Sequence, residues 1–306
     1  MESLQVKHQG NTLMTNLQTL KKLFWVSRPI SWPNTSYPFL VGLLLTSSTA
    51  LTGQSLATLI IGTLYFIGPF NLLMYGINDI FDYESDILNP RKGGVEGMRE
   101  SRKFHPTIFK AVIISNVPFI MYLLAVSSWQ AQVTLLFVVF MAVAYSIKGL
   151  RFKEVPFLDS ITSSTHFVGP LLFALALTGF PMAAWPWVAA FFCWGMASHA
   201  FGAVQDIIPD RQGNLHSIAT VLGARLTVWF SVALYAAATI IALLQGGLYI
   251  PVALAGLTYV VNCAPYIFVT DETSPTTNVA WKRFLWLNYL SGAVVTMVIL
   301  YTITLR

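Results

Sequence analysis

Two short segments of the sequence concentrate acidic side chains at helical spacing. In the first, Asp79, Asp82 and Asp86 are spaced i, i+3, i+7, so a helix of about 3.6 residues per turn carries them on one face. Asn78 lies one turn before Asp82 on that face. Three like charges repel one another, and the C-terminal end of a helix disfavours anions. The spacing therefore predicts a bound cation.

The second acidic segment contains Asp206 and Asp210, which are spaced i, i+4. Pro209 has no amide hydrogen to offer the carbonyl of Gln205, so a helix is expected to end or kink here and re-aim Asp210. A capped helix end would explain this pair by itself. Opposite the first segment, it predicts the second part of one cation site.

The predicted cation is Mg²⁺, which takes oxygen ligands from one or two carboxylates together with waters and substrate phosphates. The nearby sequence offers few His and no Cys, which argues against zinc. Metal ions on both acidic segments would stabilise a diphosphate as a leaving group. The predicted metal ligands are Asp79, Asp82, Asp86, Asp206 and Asp210, all but Asp86 being predicted catalytic residues. The alternative is a solvated acidic helix end at the membrane surface.

Basic and polar residues near these segments are candidates for a diphosphate cradle. Glycines after Arg91 and Lys92 let backbone amides approach an anion. Tyr145 lies one turn before Lys148, where it is either a ligand or a generic interfacial tyrosine. The candidate diphosphate ligands are Asn78, Arg91, Lys92, Tyr145, Lys148, Arg151 and Arg211. The basic members could instead only enforce membrane topology.

Four polar residues within apolar stretches are candidates for an acceptor pocket. They are Asn34, Asn71, His199 and Asn288. Histidines such as His166 and His199 more often form hydrogen bonds between helices than act as catalysts in such bundles.

The elements that must position these residues are membrane-spanning helices. The 306 residues are 55% hydrophobic and only 10% charged, with a mean hydropathy of +0.64, which is too apolar for a soluble protein of this length. About twenty apolar residues are needed per span, which predicts about nine spans. They are residues 30–50, 57–78, 107–127, 130–147, 160–180, 184–206, 226–245, 248–268 and 283–303.

Charge distribution predicts the orientation of these spans. With the N-terminus inside, 17 of the 18 basic residues fall on the inner side, as the positive-inside rule requires. All 13 acidic residues fall on the same side, and because that rule does not sort acids, a functional surface facing the cytoplasm is expected. Residues 1–21 would be a polar cytoplasmic segment. Topology explains the net charge of +5, so no nucleic-acid partner is expected.

The two acidic segments also indicate an internal repeat. Asp79 and Asp206 lie 127 residues apart, each at the end of a span and before a basic loop with glycine. Four spans per repeat preserve orientation. The predicted fold is therefore an all-α membrane bundle with two parallel four-helix halves plus one helix, in a single domain of residues 1–306.

These residues resemble the UbiA superfamily of intramembrane prenyltransferases, in which an Asn-Asp-x-x-Asp-x-x-x-Asp motif and an Asp-x-x-x-Asp motif accompany nine spans. Asn78, Asp79, Asp82 and Asp86 match the first motif, and Asp206 with Asp210 matches the second. The resemblance implies that the acids bind two Mg²⁺ ions and that the loops bind diphosphate.

Longer stretches are similar to bacterial lycopene elongases, which make C50 carotenoids. They are residues 27–32, 74–86, 89–97, 150–154, 158–167, 194–198, 217–223 and 284–289. This likeness implies transfer of a dimethylallyl group from its diphosphate to lycopene in the plasma membrane of a prokaryote. The final cation would lose a proton or capture water, and the sequence assigns no terminating base.

Two other functions remain open from the sequence. One is a prenyltransferase with the same donor site and a quinone, aromatic or alcohol acceptor. The other is an ion-coupled transporter, although transporter sites tend to lie near the bilayer midplane whereas these acids gather at the inner helix ends.

Overall fold

The computed structural model describes residues 16–47, 51–83 and 101–304, and within these ranges the chain is helical with no β-strand. We label the helices in chain order. They are α1 (16–26), α2 (Trp32–Thr46), α3 (Gly53–Ile67), α4 (Pro69–Phe81), α5 (His105–Val126), α6 (Trp129–Ala144), α7 (Leu158–Leu177), α8 (Trp185–Val204), α9 (Ile207–Gln212), α10 (Ile218–Leu244), α11 (Ile250–Cys263) and α12 (Asn278–Thr304).

The helices confirm the predicted all-α membrane fold. A described helix overlaps each predicted span, and seven helical stretches are long and apolar enough to cross a membrane, with α3 and α4 counted as one. Helix α6 is apolar but shorter, and α2 has only 15 residues. The protein is therefore a multi-pass membrane protein, and the number of nine spans stays a prediction.

The chain forms two compact units. The first unit contains Met1–Tyr37 and Thr52–Val126, and the second contains Pro38–Leu51 and Ser127–Arg306. In the first, α5 packs against α3 and α4. In the second, α8 packs most extensively against α10 and also against α7. Helix α11 packs against both α10 and α12. The single domain expected for residues 1–306 stays a prediction.

A break between α3 and α4 interrupts the continuous span predicted for residues 57–78. Helix α4 starts at Pro69, whose missing amide hydrogen and ring prevent an unbroken helix. The Asn71 side-chain amide donates to the carbonyl of Phe66 at 2.7 Å, and the Thr35 hydroxyl donates to the same oxygen at 2.7 Å. The buried carbonyl is thereby satisfied, as a membrane interior requires.

Helices α7 and α8 approach closely because small residues face each other. A Cβ at Gly195 would collide with the side chain of Ser164, and the Ser164 hydroxyl donates to the carbonyl of Phe192 at 2.8 Å. Small residues at such contacts allow helix backbones to approach in membranes. This contact fixes the two helices that carry Asp159 and His199.

Candidate functional site

The first acidic segment lies at the C-terminal end of α4, in the first unit. Asp79 and Asp82 are only 6% and 3% exposed, and α4 ends at Phe81 with Asp82 as its cap residue. The Asn78 amide donates to Asp82 Oδ2 at 2.5 Å, so the expected i, i+4 contact is present. Two carboxylates are thus held in a buried position where an isolated charge would be strongly disfavoured.

Arg28 supplies a positive charge to this buried acid set. Its Nη2 lies 2.8 Å from Asp79 Oδ1, and its guanidinium lies over the Tyr75 ring at 4.2 Å. Arg28 has a left-handed backbone, φ 49°, immediately before Pro29. Arg28 could not be singled out from the sequence, because a residue 51 positions away from Asp79 forms no local pattern with it. The one feature of the sequence that pointed to Arg28 was its place in the 27–32 stretch that carries the family resemblance.

Tyr83, which follows the acid set, contacts two residues at and just before the start of α5. The Tyr83 ring lies 5.1 Å from the His105 ring and under the Arg102 guanidinium at 5.2 Å. Basic and aromatic groups therefore flank the end of the acid set. Three predicted site residues, Asp86, Arg91 and Lys92, lie outside the described residues.

The second acidic segment follows α8, in the second unit. Helix α8 ends at Val204, and the short helix α9 begins after Asp206, with Pro209 in its first turn. The predicted break is confirmed, and it lies at Gln205–Asp206. Pro209 itself is in the first turn of α9, where a proline is tolerated. The Asp210 amide donates to the Asp206 carbonyl at 2.9 Å. Both acids are partly buried.

Arg211 binds away from this second acid pair. Its Nη1 lies 2.6 Å from Asp271 Oδ2, and its Nη2 donates to the carbonyl of Thr220 at 2.9 Å. We call Arg211, Thr220 and Asp271 the Arg211 latch. The latch joins α9 to the start of α10 and to the α11–α12 connection. The diphosphate contact expected of Arg211 stays a prediction.

Asp271 is fixed by a kink in α10. Gly223 has φ 76°, which a residue with a Cβ rarely adopts, and the break leaves the Ala224 amide free to donate to Asp271 Oδ1 at 2.7 Å. The Ala224 amide and the Arg211 guanidinium outweigh the effect of burial and hold the pKa of Asp271 below its ordinary value. Asp271 could not be predicted from the sequence, because it is distant from Asp210 along the chain.

The predicted basic ligands after α6 are partly engaged with the chain itself. Tyr145 caps α6, and Lys148 is exposed. Arg151 has a left-handed backbone, φ 41°, and its guanidinium pairs with Glu154. Burial raises the pKa of Glu154. The hydrogen bond and the charge of Arg151 lower it by more, so the pKa lies below its ordinary value. Their diphosphate contacts stay predictions.

Asp159, a fully buried carboxylate in the second unit, was also not singled out from the sequence. It is 0% exposed, and its Oδ2 accepts from the Ile218 amide at 2.6 Å and lies 3.7 Å from His199 Nε2. Its signal in the sequence was its place in the 158–167 stretch that carries the family resemblance.

The residues predicted for an acceptor pocket have varied surroundings. Asn34 is partly buried near the start of α2. Asn71 is fully buried and supports the α3–α4 break. Asn288 Oδ1 accepts from the Tyr259 hydroxyl at 2.9 Å, and His199 faces Asp159. Their part in an acceptor pocket stays a prediction.

The chemistry of the first acid set fits a hard divalent cation. Asp79, Asp82 and Asn78 offer oxygen atoms, the donor type that Mg²⁺ prefers. Over residues 16–47, 51–83 and 101–304, no three His, Cys, Asp or Glu side chains lie together as a group that could hold a metal ion. In proteins Mg²⁺ is usually bound by one or two carboxylates together with waters and substrate phosphates.

Comparison with known proteins identifies relatives of this chain. The sequence profile of the UbiA prenyltransferase family matches residues 35–300. A C(50) beta-cyclic carotenoids biosynthesis protein, LbtBC, of Dietzia sp. (strain CQ4) is 46% identical over 93% of this chain, which spans only 65% of that protein. The lycopene elongase/hydratase of Corynebacterium glutamicum is 45% identical over 93% of this chain and 98% of its own length.

Solved structures show the same fold. A UbiA homolog from Archaeoglobus fulgidus, bound to DMAPP and Mg²⁺, matches with a TM-score of 0.65 over 90% of this chain and 99% of that chain. The two are only 17% identical, so this similarity supports the fold alone.

Proposed function

The chain belongs to the UbiA prenyltransferase family, and from this premise we propose that it transfers the dimethylallyl group of dimethylallyl diphosphate to lycopene. The protein is an intramembrane prenyltransferase. The observation that carries the choice of acceptor is its 45% identity, along nearly the full length of both chains, to a lycopene elongase/hydratase. Transfer at one end of lycopene would give a C45 carotenoid, and transfer at both ends a C50 carotenoid.

We propose that Asp79, Asp82 and Asp86, together with Asp206 and Asp210, hold Mg²⁺ and the donor diphosphate. The burial of Asp79 and Asp82 supports this, because buried carboxylates are unfavourable unless a cation stabilises them. Bound Mg²⁺ would neutralise the charge that develops on the leaving diphosphate. An allylic cation remains on the dimethylallyl group when the carbon–oxygen bond breaks.

Positive and polar side chains are proposed to complete the diphosphate cradle. Asn78 is positioned by its bond to Asp82, and Lys148 is exposed and thus accessible. Arg91, Lys92, Tyr145 and Arg151 complete the proposed set, whereas the diphosphate contact expected of Arg211 stays a prediction. Arg28 balances the charge of Asp79 before the donor binds, because it is the cation at 2.8 Å from that carboxylate.

An apolar acceptor suits the composition and setting of the chain. The sequence is 14% aromatic and 55% hydrophobic, and lycopene can reach a membrane-embedded site only from the lipid. Apolar walls exclude the water that would quench an allylic cation. The terminal double bond of lycopene attacks the cation and forms the new carbon–carbon bond, leaving a tertiary cation on the acceptor.

The proposed orientation places the acid-bearing helix ends at the cytoplasmic face of a prokaryotic plasma membrane. The basic residues of the connections on that side support it through the positive-inside rule. A water-soluble diphosphate made in the cytoplasm would then reach the acids directly.

Incubation of membranes with dimethylallyl diphosphate, Mg²⁺ and lycopene tests the proposed acceptor. We expect C45 and then C50 carotenoids to appear, with release of one diphosphate for each transfer. A parallel incubation supplies an aromatic acceptor of quinone biosynthesis. Consumption of the aromatic acceptor without any C45 or C50 product would reject lycopene in favour of the related aromatic activity.

A further inference from the structure

A buried polar seam runs through the second unit beside the second acidic segment. Asp159, Thr162 and His166 are spaced i, i+3, i+7 on α7 and therefore share one face. The Tyr145 ring lies 5.0 Å from the His166 ring and 6.3 Å from the His199 ring, and His199 Nε2 lies 3.7 Å from Asp159 Oδ2. We call these five residues the imidazole seam.

Asp159 is held too firmly to act on a substrate directly. It is 0% exposed, one oxygen accepts from the Ser160 amide at 2.6 Å, and the other accepts from the Ile218 amide at 2.6 Å. These two amides hold the carboxylate in place, with Oδ2 at 3.7 Å from His199 Nε2.

His199 is the member of the pair that a ligand can reach. Its side chain is 19% exposed, against 0% for Asp159. Nε2 is the ring nitrogen nearest Asp159, at 3.7 Å from Oδ2, and Nδ1 is the nitrogen farther from the carboxylate. A carboxylate within about 4–6 Å of an imidazole favours its protonated form by charge attraction.

Two further atoms of the seam show that it is more than a packing contact. Within the described part of the chain, Thr162 Oγ1 and His166 Nε2 are buried without a hydrogen-bond partner. Buried polar atoms without a partner are rare in native proteins, and those that occur need a cause such as a bound water or a reaction. The seam is thus a polar lining within an apolar bundle.

The position of the seam matches a need of the proposed reaction. His199 precedes Asp206 by seven residues, which corresponds to about 10 Å along a helix. It therefore lies deeper in the span than the acid pair, on the side from which an apolar acceptor would come. The reaction leaves a tertiary cation on that acceptor, and this cation ends by losing a proton or by capturing water.

We propose that His199, backed by Asp159, accepts the proton that ends the transfer, an inference that rests on the proposed function. A C–H bond next to the cationic carbon breaks, and its electron pair forms the new carbon–carbon double bond. The proton moves to His199 Nδ1, and the resulting imidazolium is stabilised by the Asp159 carboxylate. The cation is thereby converted to an alkene without an added co-reactant.

The test compares His199→Gln with His216→Gln, an exposed histidine outside the seam. Membranes receive dimethylallyl diphosphate, Mg²⁺ and lycopene, and turnover is normalised to donor-binding sites so that misfolded protein does not count. We expect His199→Gln to lower turnover by about 10²-fold, the usual effect of losing a general base. We also expect its products to shift from alkene to hydroxylated carotenoid, because water captures the cation instead. His216→Gln should match the wild type in both measurements.

The product ratio separates proton transfer from a structural role. Turnover of His199→Gln within about twofold of the wild type would overturn the inference, as would a lower turnover with an unchanged ratio of alkene to hydroxylated product. Failure of the wild type to make any C45 or C50 product would instead reject the proposed function itself.

Discussion

The two acidic segments differ in how the chain stabilises them. At the end of α4, Asp79 and Asp82 are almost completely buried, and a guanidinium from far upstream binds Asp79 directly. At the α8–α9 junction the acids are partly buried, and the adjacent Arg211 binds Asp271 instead. The first segment is stabilised by a countercharge, whereas the second is held by a latch that leaves its carboxylates to other partners.

Because of this difference, we expect substitutions in the two segments to affect the protein to different degrees. Removing a partner from a buried ion pair leaves an uncompensated charge and is strongly destabilising. The Arg211 latch is more exposed, with side-chain exposures of 45% for Arg211 and 34% for Asp271, so solvent screens its ion pair. Substitutions in the first segment should therefore have larger effects than equivalent substitutions in the second.

The largest effect is expected from loss of the buried carboxylate Asp82. We expect Asp82→Asn to reduce kcat/KM for dimethylallyl diphosphate by about 10³-fold, because metal-assisted stabilisation of a leaving group supplies several kcal/mol. Asp210→Asn should reduce it less, and chelation of Mg²⁺ should abolish turnover. Glu272→Gln, at an exposed acid, is the matched control and should leave the rate unchanged. A greater loss in Asp210→Asn than in Asp82→Asn would invert the comparison.

The next effect is expected at Arg28. Arg28→Gln leaves Asp79 buried without its countercharge, which should lower the free energy of unfolding by about 3 kcal/mol. Thermal unfolding in detergent measures this loss. The double variant Arg28→Gln with Asp79→Asn should recover much of the stability but no activity. If Arg28→Gln unfolds at the wild-type temperature, the ion pair does not stabilise the first segment.

A smaller effect is expected from the Arg211 latch. Asp271→Asn weakens both the bond to the Ala224 amide and the pair with Arg211, and should destabilise the protein by about 1 kcal/mol, the usual value of a helix cap. Arg211→Gln should reduce kcat by no more than about threefold, since exposed ion pairs contribute little. A loss of about 10²-fold would show instead that Arg211 binds the diphosphate, as the sequence predicted.

The smallest effect is a pH dependence of stability from Asp271. Its folded pKa lies below the ordinary 3.8, so its contribution is fully present above the unfolded pKa and is lost as the pH falls through the folded pKa. The stability difference between the wild type and Asp271→Asn should be constant above about pH 5 and shrink below pH 4. A difference that is flat down to pH 2.5 would exclude ionised Asp271 as its source.

Local patterns in the sequence predicted the acid sets and the helices well. The i, i+4 spacing predicted the contact between Asn78 and Asp82, which the structure confirms, and Pro209 marked the break after α8. Apolar stretches predicted every described span, because helix length in a bilayer is set by its thickness. The break at Gly68–Pro69 was missed, although its residues are typical of one.

Contacts between distant residues could not be predicted from one sequence. Arg28 with Asp79, Arg211 with Asp271 and Asp159 with His199 are separated by 40 to 60 residues, and no spacing rule connects residues on different helices. Membrane spans also have similar apolar compositions, so hydropathy does not reveal which helices pack together. The charged residues of these pairs can be read from the sequence, but which residue pairs with which is known only from the fold.

The pigments of lycopene-accumulating bacterial cells that express the chain test the central claim most directly. We predict that wild-type cells replace lycopene with C45 and C50 carotenoids, and that cells with equal amounts of Asp82→Asn protein retain lycopene. Chromatography with mass detection distinguishes these pigments. Unchanged lycopene in wild-type cells supplied with dimethylallyl diphosphate, or equal C50 content in both, would contradict the account.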